Sequence, residues 1–238
     1  MTSLPPVLLF DLDDTLVVFG SASGDPWREL GAEFAPKLGV ELEDLLSAVR
    51  VSADHFWSDP ETRDAGRLDM LGSRRTIVAR ALRALENDRA SVGEAYADAF
   101  TWIREERVAP FPGAIETLEA LRARGHRLGL VSNGSGEFQR RKLDRYDLGG
   151  YFEDIRIEGE QGIGKPHAKV FELALRAFGI RASEAWMVGD NLVADIQGAQ
   201  AVGLHAVWVD ARRTGLPETA VTTPDRIIRS VRELVEPA

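Results

Sequence analysis

Residues 7–16 read VLLFDLDDTL, from Val7 to Leu16. Four apolar residues run directly into Asp11, Leu12, Asp13, Asp14 and Thr15, the pattern of a fully buried strand that ends in three carboxylates. Carboxylates gathered at one strand end repel each other, and nothing nearby in the chain neutralises them. The stretch therefore calls for a cation, either a metal ion held by oxygen ligands or a lysine delivered by the fold.

The rest of the composition narrows the possibilities. The chain has 238 residues, 44% of them hydrophobic, enough for one large domain or a core domain carrying a smaller insertion. A formal charge of -9 provides no global positive field for nucleic acid or anionic membranes, so any phosphate site must be local. Without Cys there are no disulfides, no thiolate catalysis and no Cys-based zinc site. His55, His126, His167 and His205 lack the close spacing of a zinc helix and are read as structural. The opening MTSLPP has no basic segment leading into an apolar one, and no run reaches the length of a membrane span. The expectation is a soluble, cytoplasmic protein.

Residues 25–107 change character. They are Ala- and Leu-rich and charged, with apolar stripes at helical spacing: Leu42, Leu45, Leu46, Val49 and Ala53, then Ile77, Ala81, Leu82 and Leu85, then Tyr96, Phe100 and Ile103. Three or four amphipathic helices are expected there, with Trp27, Phe56, Trp57 and Trp102 as packing residues. After Ala109–Gly113 (APFPG), strand and helix alternate, which implies βαβ units and a mostly parallel sheet. Strands are expected at Leu128–Ser132, Asp154–Ile157, Ala185–Val188, His205–Val209 and Ile227–Ile228, with a helix at the C-terminus. The fold class is thus α/β, a Rossmann-like core of residues 1–20 and 108–238 with an all-helical insertion at 21–107.

In such sheets functional groups collect beyond the carboxyl ends of the strands. The polar residues following the predicted strands are Asp11 and Asp13, Ser132 and Asn133, Lys165, and Asp190 with Asp195. Carboxylates suited to magnesium, a hydroxyl with loop amides suited to phosphoryl oxygens, and one cation together suit phosphoryl transfer. Asp11 and Asp13, two apart on an extended chain, lean the same way, so one can attack phosphorus while the other reaches the leaving oxygen. Asp190 completes a magnesium site; Asp195, about a helical turn later, holds it from behind or orients Lys165. Lys165 offsets the negative charge.

These motifs, in this order, resemble the haloacid dehalogenase-like hydrolases: DxDxT at Asp11, Asp13 and Thr15, the strand-end Ser132 in LVSNG, Lys165 in GKP, and GDxxxxD at Asp190 and Asp195. The resemblance implies a helical cap of the C1 type and an aspartyl-phosphate on Asp11. It also implies Mg2+ held by Asp11, Asp190 and the backbone carbonyl of Asp13, with Thr15 and Asp195 in support. Asp13 would be general acid and then base, and Ser132, Asn133 and Lys165 would hold the phosphoryl group. The expected substrate is a small phosphorylated metabolite. A 2-haloacid dehalogenase, a phosphomutase and a catalytically silent binding protein are the alternatives on the same fold; Asp13 weighs against the first.

Blander readings exist for each residue. Asp13 and Asp14 alone fit turn residues, and Asp195 alone fits a helix cap; the companion motifs favour chemistry for Asp13 and Asp195, while Asp14 is read as a bystander. Gly159–Lys165 matches G-x-x-x-x-G-K, but Pro166 supplies neither the hydroxyl nor the N–H of a nucleotide loop. The run Arg140, Arg141, Lys142 and Arg145 is read as a solvated helix face. Phe19, Ser21, Trp27 and Arg28 are candidates for specificity.

Overall fold

The computed structural model describes residues 4–19 and 25–236, and the chain divides into two compact units, residues 1–21 with 108–238, and residues 22–107. In the first unit, β1 (Val7–Phe10) sits at the centre of a six-stranded sheet. Its pleat sends alternate side chains to opposite faces: Leu8 and Phe10 enter one core, Val7 and Leu9 the other. Each fully buried aliphatic side chain contributes about 1.5–3 kcal/mol, so this strand ties both layers of the unit together.

Two short strands follow the first motif: β2 (Val17–Val18) pairs antiparallel with β3 (Ala109–Pro110), Val18 lying opposite Ala109. Beyond them come α6 (Ala114–Ala123), β4 (Arg127–Ser132), α7 (Gly136–Arg145), β5 (Asp154–Ile157), α8 (Glu158–Gln161), α9 (Ala168–Phe178), β6 (Ala185–Gly189), α10 (Gly198–Ala201), β7 (His205–Val209) and β8 (Arg226–Ile228), the helices numbered after α1–α5 of the other unit. The sheet order is β5-β4-β1-β6-β7-β8, every pairing parallel. One core packs α6 and Leu143 of α7 on the sheet; the other packs the Val170, Phe171, Ala174, Leu175 and Phe178 stripe of α9. This is the expected α/β class. The expected C-terminal helix is instead a single 3-10 turn, Val231–Leu234, closed by a capping box between Ser230 and Glu233.

The second unit consists of α1 (Pro26–Leu38), α2 (Leu42–Ser58), α3 (Pro60–Gly66), α4 (Met70–Ala84) and α5 (Ala90–Glu106). Its core joins Phe34, Leu38, Leu45, Val49, Ile77, Val78, Ala81 and Tyr96, largely the residues of the sequence stripes. The helix beyond the expected three or four is α3, seven residues started by Asp59, which accepts from the Thr62 N–H, and by Pro60 at its first position. It carries no apolar stripe, so periodicity does not reveal it. Trp102 also departs from expectation, being 37% exposed. Among the described residues no helix is long and apolar enough to cross a membrane.

Candidate active site

The groups that follow β1, β4 and β6 all belong to the first unit, and the sheet brings them to one edge. The Asp11 N–H donates to the Val188 carbonyl at 2.9 Å, so the β1–β6 ladder continues one residue into the acidic stretch. The chain then folds tightly: the N–H groups of Leu16 and Val17 both donate to the Leu12 carbonyl. Asp14 takes a left-handed φ of 57° and accepts from the Phe19 N–H at 3.1 Å. An Asp tolerates that conformation because its short side chain bonds the local backbone, which fits its reading as structural. Arg212 also reaches it, at 3.4 Å.

Lys165 lies among the carboxylates. Its Nζ is 2.6 Å from Asp11 Oδ1 and 2.7 Å from Asp195 Oδ1, and the residue is 3% exposed. Burial alone would lower its pKa, but the charges of Asp11 and Asp195 outweigh it and the net displacement is upward. The Asn133 side chain holds the Lys165 backbone at both ends: its Nδ2 donates to the Lys165 carbonyl at 2.7 Å and its Oδ1 accepts the Lys165 N–H at 2.8 Å. Sequence reasoning assigned Asn133 to phosphate; its amide side chain is spent on positioning Lys165.

Asp195 sits on a π-helical turn, Leu192–Gln197, capped by Asn191 rather than by Asp195 itself. Its Oδ2 accepts the Asn191 N–H at 2.9 Å. A side chain at Gly189 would collide with the Asp195 carboxylate, so only glycine at the end of β6 lets that carboxylate approach Lys165. The Asp190 carbonyl accepts from Trp208 Nε1 at 2.7 Å, which pins the strand end.

Asp11, Asp190 and Asp195 each offer a carboxylate oxygen within 4.8 Å of the others. Burial raises Asp11 to about 7, opposed in part by Lys165 and reinforced by Asp195 and Asp13. Burial raises Asp190 to about 8, with the charges of Asp11, Asp195 and Asp14 adding to it. Three ionised carboxylates facing one ammonium would leave two negative charges in excess, and the raised values of Asp11 and Asp190 reflect that repulsion together with burial. Asp195 Oδ1, although in ion-pair contact with Lys165, lacks a well-angled hydrogen-bond donor. An all-oxygen set with surplus negative charge and an unfilled lone pair fits a hard divalent cation such as Mg2+.

Two residues absent from the sequence expectation complete the site. Lys142, 4% exposed, places Nζ 2.7 and 2.9 Å from the two Asp13 oxygens and 4.0 Å from the centre of the Phe19 ring. Gln139 Nε2 lies 2.9 Å from Asp13 Oδ2, 2.7 Å from Ser132 Oγ and 2.9 Å from the Asn133 carbonyl, linking the first and second motifs. The solvated-face reading of this helix is therefore corrected at Lys142. Arg140, by contrast, pairs with Glu160 at the surface. Gln139 and Lys142 are three apart and share one helix face; separating the basic run by helical period would have isolated Lys142. Thr15, expected in support, is buried and its hydroxyl has no hydrogen-bond partner among the described residues. Of the specificity candidates, Arg28 is engaged by Glu43 at 2.7 Å, and Ser21 lies outside the described residues.

Residues 5–203 match the family model described as haloacid dehalogenase-like hydrolase. The chain is 36% identical to a phosphoserine phosphatase of Thermus thermophilus, over 96% of this chain and 97% of that one. It is 42% identical to a glyceraldehyde 3-phosphate phosphatase of Pyrococcus abyssi, over 85% of this chain and 80% of that one. Among solved structures, a 2-haloacid dehalogenase of Pseudomonas syringae superposes with a TM-score of 0.63 at 31% identity, covering 96% of this chain and 95% of that one.

Proposed function

The chain belongs to the haloacid dehalogenase-like hydrolase family, and from that membership we propose that it is a magnesium-dependent phosphomonoesterase acting on a small phosphorylated metabolite. Asp11 attacks phosphorus and forms an aspartyl-phosphate; Asp13 protonates the leaving oxygen and then takes a proton from the hydrolytic water. Ser132 Oγ and Lys165 Nζ hold the transferring phosphoryl oxygens, and Asn133 fixes Lys165 from behind. Lys142 and Gln139 orient the Asp13 carboxylate. Asp11, Asp190 and the Asp13 carbonyl would hold Mg2+, with Asp195 beside them and Thr15 in support. When bound, the ion neutralises the carboxylates and the charge that develops on the phosphoryl oxygens. Residues 21–107 are read as the family's C1-type cap.

The observation that carries this reading is the Lys165–Asp11 contact at 2.6 Å within a group of three carboxylates. A buried ammonium on one Asp11 oxygen favours the ionised form against the opposing effect of burial, as a nucleophile requires, and leaves the second oxygen for attack. The two phosphatase relatives are consistent with it. Turnover of an aryl phosphate with Mg2+ and its loss on chelation test the class, and a panel of phosphorylated metabolites identifies the substrate.

The similarity to a 2-haloacid dehalogenase favours a second reading, halide displacement by the same Asp11. Asp13, held by Lys142 and Gln139, weighs against it, because displacement of halide needs no proton donor at the leaving group. Chloride release from 2-chloropropionate in the absence of Mg2+ would reverse the order of the two readings.

A further inference from the structure

The helical unit contains a buried cation that the chemistry above leaves unused. Arg74, on α4, is 2% exposed, and neither of its terminal nitrogens, Nη1 nor Nη2, has a hydrogen-bond acceptor among the described residues. Its guanidinium lies 5.2 Å from the centre of the Phe100 ring, and the guanidinium of Arg104, one helical turn along α5, lies 5.8 Å from the same ring. Trp27 of α1 stacks on Phe100 with centroids 3.5 Å apart and planes 9° from parallel. Two arginines thus share one aromatic wall. Buried arginines are ordinarily satisfied by carboxylates or carbonyls in forked geometry, and Arg74 has neither.

What compensation exists is partial. The face of Phe100 attracts a cation, and the buried Glu105 contributes an opposing charge. Burial, with like-charge repulsion from Arg104 and only partial offset by Glu105, nevertheless lowers Arg74 to about 10. A guanidinium taken out of water needs its donors filled, because desolvation is otherwise uncompensated. The missing partner is an acceptor that carries negative charge and offers two oxygens to a planar fork.

We infer that Arg74 and Arg104 form an oxyanion-binding site within the helical unit, walled by Phe100, whose ligand is a phosphate or carboxylate group. The group is a free oxyanion acting as an effector. The site stands independently of the phosphatase reading.

The experiment uses the full-length chain, chelated with EDTA and titrated with inorganic phosphate by calorimetry. The two arginine substitutions separate binding at the arginine site from binding at the acidic cluster of the other unit. The expected result is saturable binding of one phosphate per chain, lost in Arg74→Met and weakened at least tenfold in Arg104→Met. Arg104→Met, at a half-buried position, keeps the test decisive if Arg74→Met does not fold. Absence of saturable binding in the wild type, or binding indifferent to both substitutions, overturns the site. Failure of the wild type to hydrolyse any phosphate ester would remove the phosphatase reading and leave the calorimetric result standing.

Discussion

Lys165 and Arg74 are both cations nearly sealed from solvent, one in each unit of the chain, and they are treated in opposite ways. Lys165 sits among more negative charge than it can neutralise, with Asp11 and Asp195 in contact and Asp190 close by. Arg74 has an aromatic face and a distant charge but no acceptor for its terminal nitrogens. One site has anions to spare and the other lacks one. The physical cost of burial is similar in both places, so the imbalance in each points to what is missing: a divalent cation in the first unit, an oxyanion in the second.

The largest expected effect breaks the first site chemically. Asp11→Asn should lower kcat on an aryl phosphate by about 10⁴-fold or more, with the circular dichroism spectrum unchanged; magnesium-dependent turnover near the wild-type rate would remove Asp11 as nucleophile. Next is the lysine itself. Lys165→Met leaves buried carboxylates facing each other and should destabilise the chain by about 3–5 kcal/mol in urea unfolding, and added Mg2+ should recover part of the loss. Stability equal to that of the wild type would mean that the carboxylates, not the lysine, dictate the local balance.

The third test sharpens the charge argument through pH. In metal-free protein Asp11 and Asp190 titrate at about 7 and about 8 against an ordinary 3.8, so the folded state binds protons that the unfolded state releases. Their stabilising contribution is complete below 3.8 and is lost as pH rises through 7 and 8. The Tm in EDTA should therefore fall between pH 5 and 9, and saturating Mg2+ should flatten that decline. A flat profile in EDTA would contradict the surplus of negative charge. The smallest effect concerns Lys142: Lys142→Met should lower kcat by about 10–100-fold with a smaller change in KM, and Lys142→Arg should restore part of it. An equal loss in kcat/KM through KM alone would assign Lys142 to substrate binding rather than to Asp13.

The strands and the strand-end residues were legible in the sequence because continuous apolar runs bounded by Gly and Asp have few alternatives in a parallel sheet. The order of the motifs carried the family for the same reason. Lys142 and Gln139 were not, since a basic run looks uniformly solvated until helical period separates its faces, and only tertiary contact with Asp13 shows which face is covered. Asn133 illustrates the converse: position after a strand suggested a ligand contact, yet an amide can satisfy a neighbouring backbone as well as a phosphate. Arg74 gave no signal, because an arginine within a helix is read as exposed unless its partners are seen.

The small ribbon of Val17–Val18 and Ala109–Pro110 has an engineering consequence. Val18 and Ala109 are cross-strand neighbours, with Cα atoms about 4.5–5.5 Å apart, although the helices α1–α5 lie between them in the chain. The chain thus leaves the sheet unit and returns to it through one doorway. Replacing the helical segment by a few flexible residues would close a short loop at little entropic cost, and the helical segment of a related chain could be grafted through the same two points without altering the register of β1.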